Sequence, residues 1–183
     1  QWGESELARI LPYLSPQSRV LVVGAHIGSL VIPLSRHCQS VVAIEANPAS
    51  FELLQLNLKL NDTLNCQPFC VAANHKPETL SFLVNPSNTG GSKRKPTVPD
   101  PAYYYDHPAE IQVEAVVLDD FLADQYFDVI VMDIEGSEYF ALLGMQRLLS
   151  QAQMLQIEFL PHHLKQISGV TIAAFVATLS PHF

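Results

Sequence analysis

The chain has 183 residues, 48% hydrophobic and 15% charged, with 18 acidic against 10 basic side chains and a net charge of −8. That length buries a sizeable core without staples, and that composition excludes global disorder. The acidic balance argues against a nucleic-acid or anionic-membrane surface, because both need clustered Lys and Arg and the only basic run is Lys93-Arg94-Lys95.

Three cysteines (Cys38, Cys66, Cys70) make no disulfide framework and fit no zinc spacing. They read as buried thiols in a reducing cytosol, so a cytoplasmic location is expected, and no metal is expected. The longest apolar stretch, residues 20–34, is interrupted by two Gly, a His, a Ser and a Pro. It falls short of the roughly 20 residues that a membrane helix requires. No signal peptide is visible. The chain begins at Gln1 rather than Met and stops soon after its last expected helix, so a single domain spanning 1–183 is expected to lack residues at both ends.

In chain order, apolar runs at 19–23, 41–45, 69–72, 127–133 and 154–159 predict short strands, continuous enough for a parallel sheet covered on both faces. After the first comes a glycine turn opening a helix. After the second, Asn47 caps a helix, Pro48 sits in its first turn and Asn61-Asp62 end it. Its leucines at 53, 54, 56, 58 and 60 predict a wide apolar stripe pressed on the sheet. Residues 79–84 and 111–118 predict a strand pair, joined by a long connection rich in Pro, Gly, Ser and Asn. A helix is predicted over 136–149, with Tyr139, Leu142, Leu143 and Met145 inward, and another over 170–179. This βαβ rhythm predicts a doubly wound, mostly parallel α/β fold of Rossmann-like type, with an inserted strand pair and a long loop.

The turn VLVVGAHIGS places Gly24 and Gly28 at the mouth of the sheet, where backbone approaches a ligand closely. The spacing is G-x-x-x-G, with His26 where the dinucleotide fingerprint wants glycine, which weakens a pyrophosphate reading. Glu45 ends the second strand, 21 residues beyond Gly24, where a carboxylate can accept both hydroxyls of a ribose. The pair points to an adenosine-type ligand without pyrophosphate, a description that S-adenosylmethionine fits. A tight structural turn and a solvated strand end are the plain alternatives.

GAHIG, AIEANPASFELLQLNLKLN, VVLDDFL and above all MDIEGSE before a helix occur in one order from about residue 20 to 158. In these the chain resembles the FkbM-type S-adenosylmethionine-dependent methyltransferases. The family more often has Lys before that Asp and Asn in place of His26. The resemblance implies a class I methyltransferase fold and methylation of a hydroxyl on a sugar or other small metabolite. By motif it implies that Gly24, Ala25, Gly28, Glu45, Ala46 and Asn47 line the cofactor, with His26 among them, and that Asp133 sits at its reactive end.

VIVMDIEGSE runs a buried strand into Asp133, Glu135 and Glu138. Methyl transfer to a hydroxyl needs the oxygen held in line and its proton accepted. Strand alternation puts Asp133 and Glu135 on one side, and two close carboxylates resist joint ionisation, which makes a better base. Asp133, Glu135 and His26 are therefore the catalytic candidates. Glu138 falls at a helix start, where the dipole favours an acid for stability alone. Glu135 has a structural alternative in the turn with Gly136 and Ser137, and capping accounts for at least one of Asp119 and Asp120. Glu158 either faces the crevice beside Asp133 or pairs with a base. Among the other histidines, His162 lies on the predicted carboxyl edge, whereas His107 falls in the long connection.

That connection, residues 85–110, is a candidate lid, with Gly90-Gly91 as hinge, Tyr103-Tyr104-Tyr105 over a substrate and Lys93-Arg94-Lys95 toward an anionic acceptor group. A disordered surface insertion is its alternative. Two rival functions stand beside the O-methyltransferase: a nicotinamide-dependent oxidoreductase, disfavoured by the missing third glycine, and a non-catalytic nucleoside-binding module.

Overall fold

The computed structural model describes residues 3–98 and 100–183. Helix α1 (Glu4–Ile10) and a 3-10 turn precede β1 (Arg19–Val23), α2 (Val31–Ser35), β2 (Ser40–Ile44), α3 (Pro48–Leu60) and β3 (Cys66–Phe69). The middle of the chain forms β4 (Ala72–Ala73), β5 (Glu78–Val84), β6 (Lys93–Arg94), β7 (Ala109–Val116) and α4 (Leu118–Phe121). Then come β8 (Val129–Met132), α5 (Glu138–Leu143), α6 (Gln146–Gln151), β9 (Met154–Ile157), α7 (Pro161–His163) with a π-helical turn (Leu164–Ser168), and α8 (Ile172–Leu179).

Five strands make a parallel sheet in the order β3-β2-β1-β8-β9. Alternation along each strand builds two cores. Val20, Val22, Val41, Ala43, Val129 and Val131 meet Ile10, Val31, Leu34, Leu54 and Leu58 on one face. Leu21, Val23, Val42, Ile44, Ile130 and Met132 meet Leu142, Met145, Leu148 and Phe175 on the other. Each fully buried aliphatic side chain contributes roughly 1.5–3 kcal/mol, so both faces hold the sheet. The strand order reverses between β1 and β8, and there the crevice opens at the strands' carboxyl ends.

Four expectations need correction. The strand expected at 69–72 is two: β3 ends at Phe69 in the parallel sheet, and Ala72–Ala73 pair instead with β7. The helix expected over 136–149 is broken at Gly144, where any Cβ would lie 2.0 Å from the carbonyl oxygen of Asn74. It restarts as α6 because the Asp119 carboxylate accepts the amides of Arg147 and Leu148 at 2.8 and 3.0 Å. Leu142 and Met145 are buried as expected, but Leu143 is exposed. On α3 only Leu54 and Leu58, with Ser50, are buried, while Leu53, Leu56 and Leu60 face solvent.

The fourth concerns the long connection, which has structure of its own. The strand pair forms as β5 and β7, antiparallel, and β6 adds to it with Leu83 opposite Lys93. Tyr103 is buried, whereas Tyr104 and Tyr105 are exposed. The Tyr103 hydroxyl donates to Gln166 Oε1 at 2.6 Å and the Val98 amide to the Gln166 carbonyl at 3.1 Å, docking the connection on the π-helical turn. The apolar side of this second sheet (Leu80, Phe82, Val113, Ala115) closes over the end of β2 through Ala46. All three cysteines are free. Among the described residues no helix is long and apolar enough to cross a membrane.

Candidate active site

The turn after β1 needs its first glycine for a steric reason. Gly24 has φ +89°, and a Cβ on it would lie 1.8 Å from the carbonyl oxygen of Asp133. The ends of β1 and β8 pass too closely for any side chain. Gly24 and Ala25 both donate their amides to the Ile44 carbonyl at 2.9 Å, which ties the turn to the end of β2. Gly28 (φ +92°) is less constrained: its Cβ would meet the flexible tip of Leu54 at 2.8 Å.

Glu45 follows β2 and is 8% exposed. Its carboxylate accepts the His26 amide at 2.7 Å and the Asn47 amide at 2.8 Å. Burial pushes its carboxyl up, and those amides oppose that. A carboxylate offers about four acceptor sites, more than these amides use, and Glu45 lies on the cavity wall. Asn47 is not a wall residue: its side chain accepts the Ala49 amide at 3.1 Å and caps α3. His26 adopts φ 49°, and its Nε2 lies 2.9 Å from Thr89 Oγ1 on the inserted connection. Burial lowers its affinity for a proton and Asp133 partly restores it.

These groups form one wall of a cavity of about 570 Å³, within the usual range for small-ligand sites. Val71–Ala73, Leu80 and Phe82 make an apolar slot beyond Ala46. Asn88, Thr89, Gly90 and Arg94 close the far side, and Gly3 and Glu6 of the amino-terminal helix close another. Sequence reasoning missed that amino-terminal wall, since nothing in GESELAR marks it.

The acidic end of β8 meets the end of β9 here. Side-chain oxygens of Asp133, Glu135 and Glu158 all lie within 4.8 Å of one another. Asp133 is exposed, and the surface it exposes belongs to the cavity wall. Glu158 is brought alongside by strand register, its amide donating to the Met132 carbonyl at 2.9 Å. Burial, then Asp133 and Glu135, push the Glu158 carboxyl up to about 8. Carboxylates this close resist joint ionisation, and partial desolvation raises the Asp133 carboxyl as well. The set has the composition of a cation site as well, and a positive side chain already stands beside it, Lys93 Nζ at 3.7 Å from Glu135 Oε2.

Glu135 stands in the left-handed region at φ 54°. Glu138, not Glu135, organises the turn: it is buried and accepts the Ile134 amide at 3.0 Å, and burial pushes it up to about 7. Gly136 (φ +98°) lets the turn press on the α7 segment, where a Cβ would meet that of His163 at 2.7 Å. His163 Nδ1 lies 3.3 Å from Glu135 Oε2. Sequence reasoning favoured His162, which is exposed; the side chain facing inward is its buried neighbour. His107 is exposed and away from the cavity wall. The basic run is split three ways, because Lys93 meets Glu135, Arg94 donates to Asn74 Oδ1 at 3.2 Å, and Lys95 pairs with Glu110 at 2.8 Å on the surface.

A parallel sheet with its switch point beside β1, a glycine turn after β1, an acid closing β2 and an acid at the end of β8 give the class I methyltransferase fold. The family described as Methyltransferase FkbM domain matches residues 23–178, and the chain belongs to that family. Hydride transfer on the same architecture is thereby set aside. The solved structure of Methyltransferase FkbM from Methylobacillus flagellatus KT is similar at 22% identity and TM-score 0.56, covering 81% of this chain and 34% of that one. An rRNA methylase from Streptococcus thermophilus is similar at 11% identity and TM-score 0.52, covering 84% of this chain and 69% of that one. These likenesses concern the fold alone. The chain spans about a third of the length of the Methylobacillus protein. No curated protein matches the sequence.

S-adenosylmethionine is the cofactor of this class, and the residues present fit it. Gly24 carries the turn past the end of β8 with no side chain of its own on the cavity wall, Glu45 keeps acceptor capacity there, and the apolar slot beyond Ala46 suits a purine.

Proposed function

We propose that this domain transfers a methyl group from S-adenosylmethionine to a hydroxyl of a sugar or other small metabolite. The observation that carries the reading is the convergence of Asp133, Glu135 and Glu158 on the cavity wall beside the Gly24 turn. When bound, the cofactor supplies a methyl carbon on a positive sulfur. The chain's own residues do the rest. Gly24, Ala25 and His26 hold the cofactor through the turn, Glu45 accepts the ribose hydroxyls, and Ala46 packs on the base; Gly28 is not on the cavity wall and serves the turn from behind, its amide donating to the Ala25 carbonyl at 2.9 Å. Asn47 acts from behind by fixing Glu45 and α3. Asp133 would take the proton of the acceptor hydroxyl, and Glu135 adds negative charge beside it. An amine arriving with a free lone pair needs no such base, so the carboxylates favour oxygen transfer.

The acceptor is small and not nucleic acid on this reading, because the charged side chains on the wall are Glu6, Glu45, Asp133, Glu135 and Glu158 against Arg94, and the chain carries net charge −8. Three free thiols accord with a reducing, cytoplasmic compartment. Incubating the protein with methyl-labelled cofactor and metabolite pools, followed by mass spectrometry, tests the proposal. A labelled hydroxyl product supports it; cofactor binding without transfer to any pool leaves a nucleoside-binding module.

Glu45→Ala weakens S-adenosylhomocysteine at least about tenfold by calorimetry, since charge-assisted hydrogen bonds contribute roughly 1.5–3 kcal/mol each. Glu45→Gln, which keeps one acceptor for the loop amides, falls between. Unchanged affinity in both would confine Glu45 to bracing the turn.

The tip of the inserted connection is the lid in this proposal. Its body is docked on the π-helical turn, but Asn88–Gly90 bridge the cavity mouth to His26. Replacing Asn88 and Thr89 together by glycine keeps cofactor affinity within about twofold and lowers transfer to the acceptor about tenfold or more. Full activity in that variant removes the lid.

A further inference from the structure

Lys93 is only 8% exposed, yet its ammonium has Glu135 at 3.7 Å as its carboxylate partner and the Tyr103 ring at 5.3 Å. A buried lysine with one loosely placed partner is a poor stabiliser: the desolvation it suffers is repaid only by close, well-hydrogen-bonded geometry. An apolar side chain of the same length would fill the space at lower cost. The other two cations of the run follow ordinary rules. Arg94 lies 4.4 Å over the Phe140 ring and donates to Asn74, and Lys95 is paired at the surface. What distinguishes Lys93 is where it points. Strand β6 pairs with β5 so that this one side chain reaches across to the turn after β8.

The acid it meets is surrounded. Asp133 and Glu158 face Glu135 from the ends of β8 and β9, with side-chain oxygens within 4.8 Å. Buried Glu138, at the start of α5, pushes the Glu158 carboxyl up further. His163 lies 3.3 Å away on α7 and is held neutral, burial and then Lys93 and His162 pushing it down to about 4. Tyr103 is neutral too, pushed up to about 12. Among the described residues Lys93 is the Lys or Arg side chain that pairs with the cluster.

We propose that Lys93 is a positioning residue for the acidic cluster: its ammonium holds Glu135 anionic and fixed at the cavity wall, so that the proton the three acids share resides on the Asp133–Glu158 pair. Without Lys93, Glu135 competes for that proton, and Asp133 loses the neighbour with which it exchanges one. The inference rests on the methyltransfer reading only for its consequence in catalysis; the electrostatic part needs no acceptor.

The test is a carbon-detected NMR titration of protein labelled at its glutamate side-chain carboxyls, with Glu135 and Glu158 assigned through Glu135→Gln and Glu158→Gln. In Lys93→Met the Glu135 midpoint rises by about one pH unit or more, the Glu158 midpoint falls, and Lys93→Arg restores both toward the wild type. An unchanged Glu135 midpoint in Lys93→Met overturns the proposal, whatever the melting temperature does. Should Lys93→Met not fold, Lys93→Gln carries the same comparison. Once an acceptor is known, the acid limb of the kcat profile moves to higher pH in Lys93→Met and returns in Lys93→Arg. A moved midpoint with no methyl transfer in any variant would sink the proposed function while leaving this assignment standing.

Discussion

Asp133→Asn lowers methyl-transfer turnover by about 10²–10⁴-fold, the usual contribution of a positioned base, and leaves S-adenosylhomocysteine affinity within a few-fold. The substitution keeps the shape of the side chain and its place at the end of β8, where its backbone amide donates to the Val23 carbonyl at 3.0 Å. What goes is the carboxylate that stands beside Glu135 and Glu158. Glu135→Gln has a smaller effect, because Glu135 acts through charge beside the reacting oxygen. Single-turnover rates at saturating cofactor make the comparison clean, since they exclude product release. If both variants match the wild type, the acidic strand end is a structural feature and the base lies elsewhere.

Gly24→Ala removes cofactor binding and destabilises the fold by about 3–5 kcal/mol, the range reserved for a backbone clash in a packed region. The added Cβ would sit 1.8 Å from the Asp133 carbonyl oxygen, so β1 and β8 must part or the turn must unwind. A positive φ adds about 1–2 kcal/mol of strain for any L side chain. Gly28→Ala is the control: its φ is also positive, but its nearest neighbour is a Leu54 methyl at 2.8 Å that can swing away. Thermal melting and calorimetry with S-adenosylhomocysteine separate the two, with Gly24→Ala melting about 8 °C or more below Gly28→Ala. Equal losses would mean that φ strain alone, not the close approach of Asp133, sets the requirement for glycine.

Local features of the chain were read correctly where one segment contains the whole signal. The Asn47 cap and Pro48 start α3 as expected, because a cap needs only its own next residues. The strands at 19–23 and 154–157 follow from continuous apolar runs, and MDIEGSE with IEANP marks the family now matched over 23–178. Reading went astray where a distant segment decides a local outcome. Nothing around Gly144 says that the Asn74 carbonyl will occupy the space a side chain needs, or that Asp119 will restart the helix from outside. The leucines of α3 gave a wide stripe, yet the sheet covers only the arc holding Leu54 and Leu58.

For the site itself, the sequence alone determined the sheet class, the glycine turn, the carboxylate after β2 and the acidic end of β8, since each is a strand end whose neighbours along the chain define it. The tertiary structure alone decided that Glu158 joins Asp133 and Glu135, that His163 rather than His162 faces them, and that Lys93 lies among them. Those side chains come from β6, β9 and α7, far apart along the chain, and only parallel register and the docking of the inserted sheet bring them together. Electrostatic interaction varies inversely with separation and strengthens as water is excluded, so a proton's place in such a cluster depends on distances and burial that no linear spacing contains.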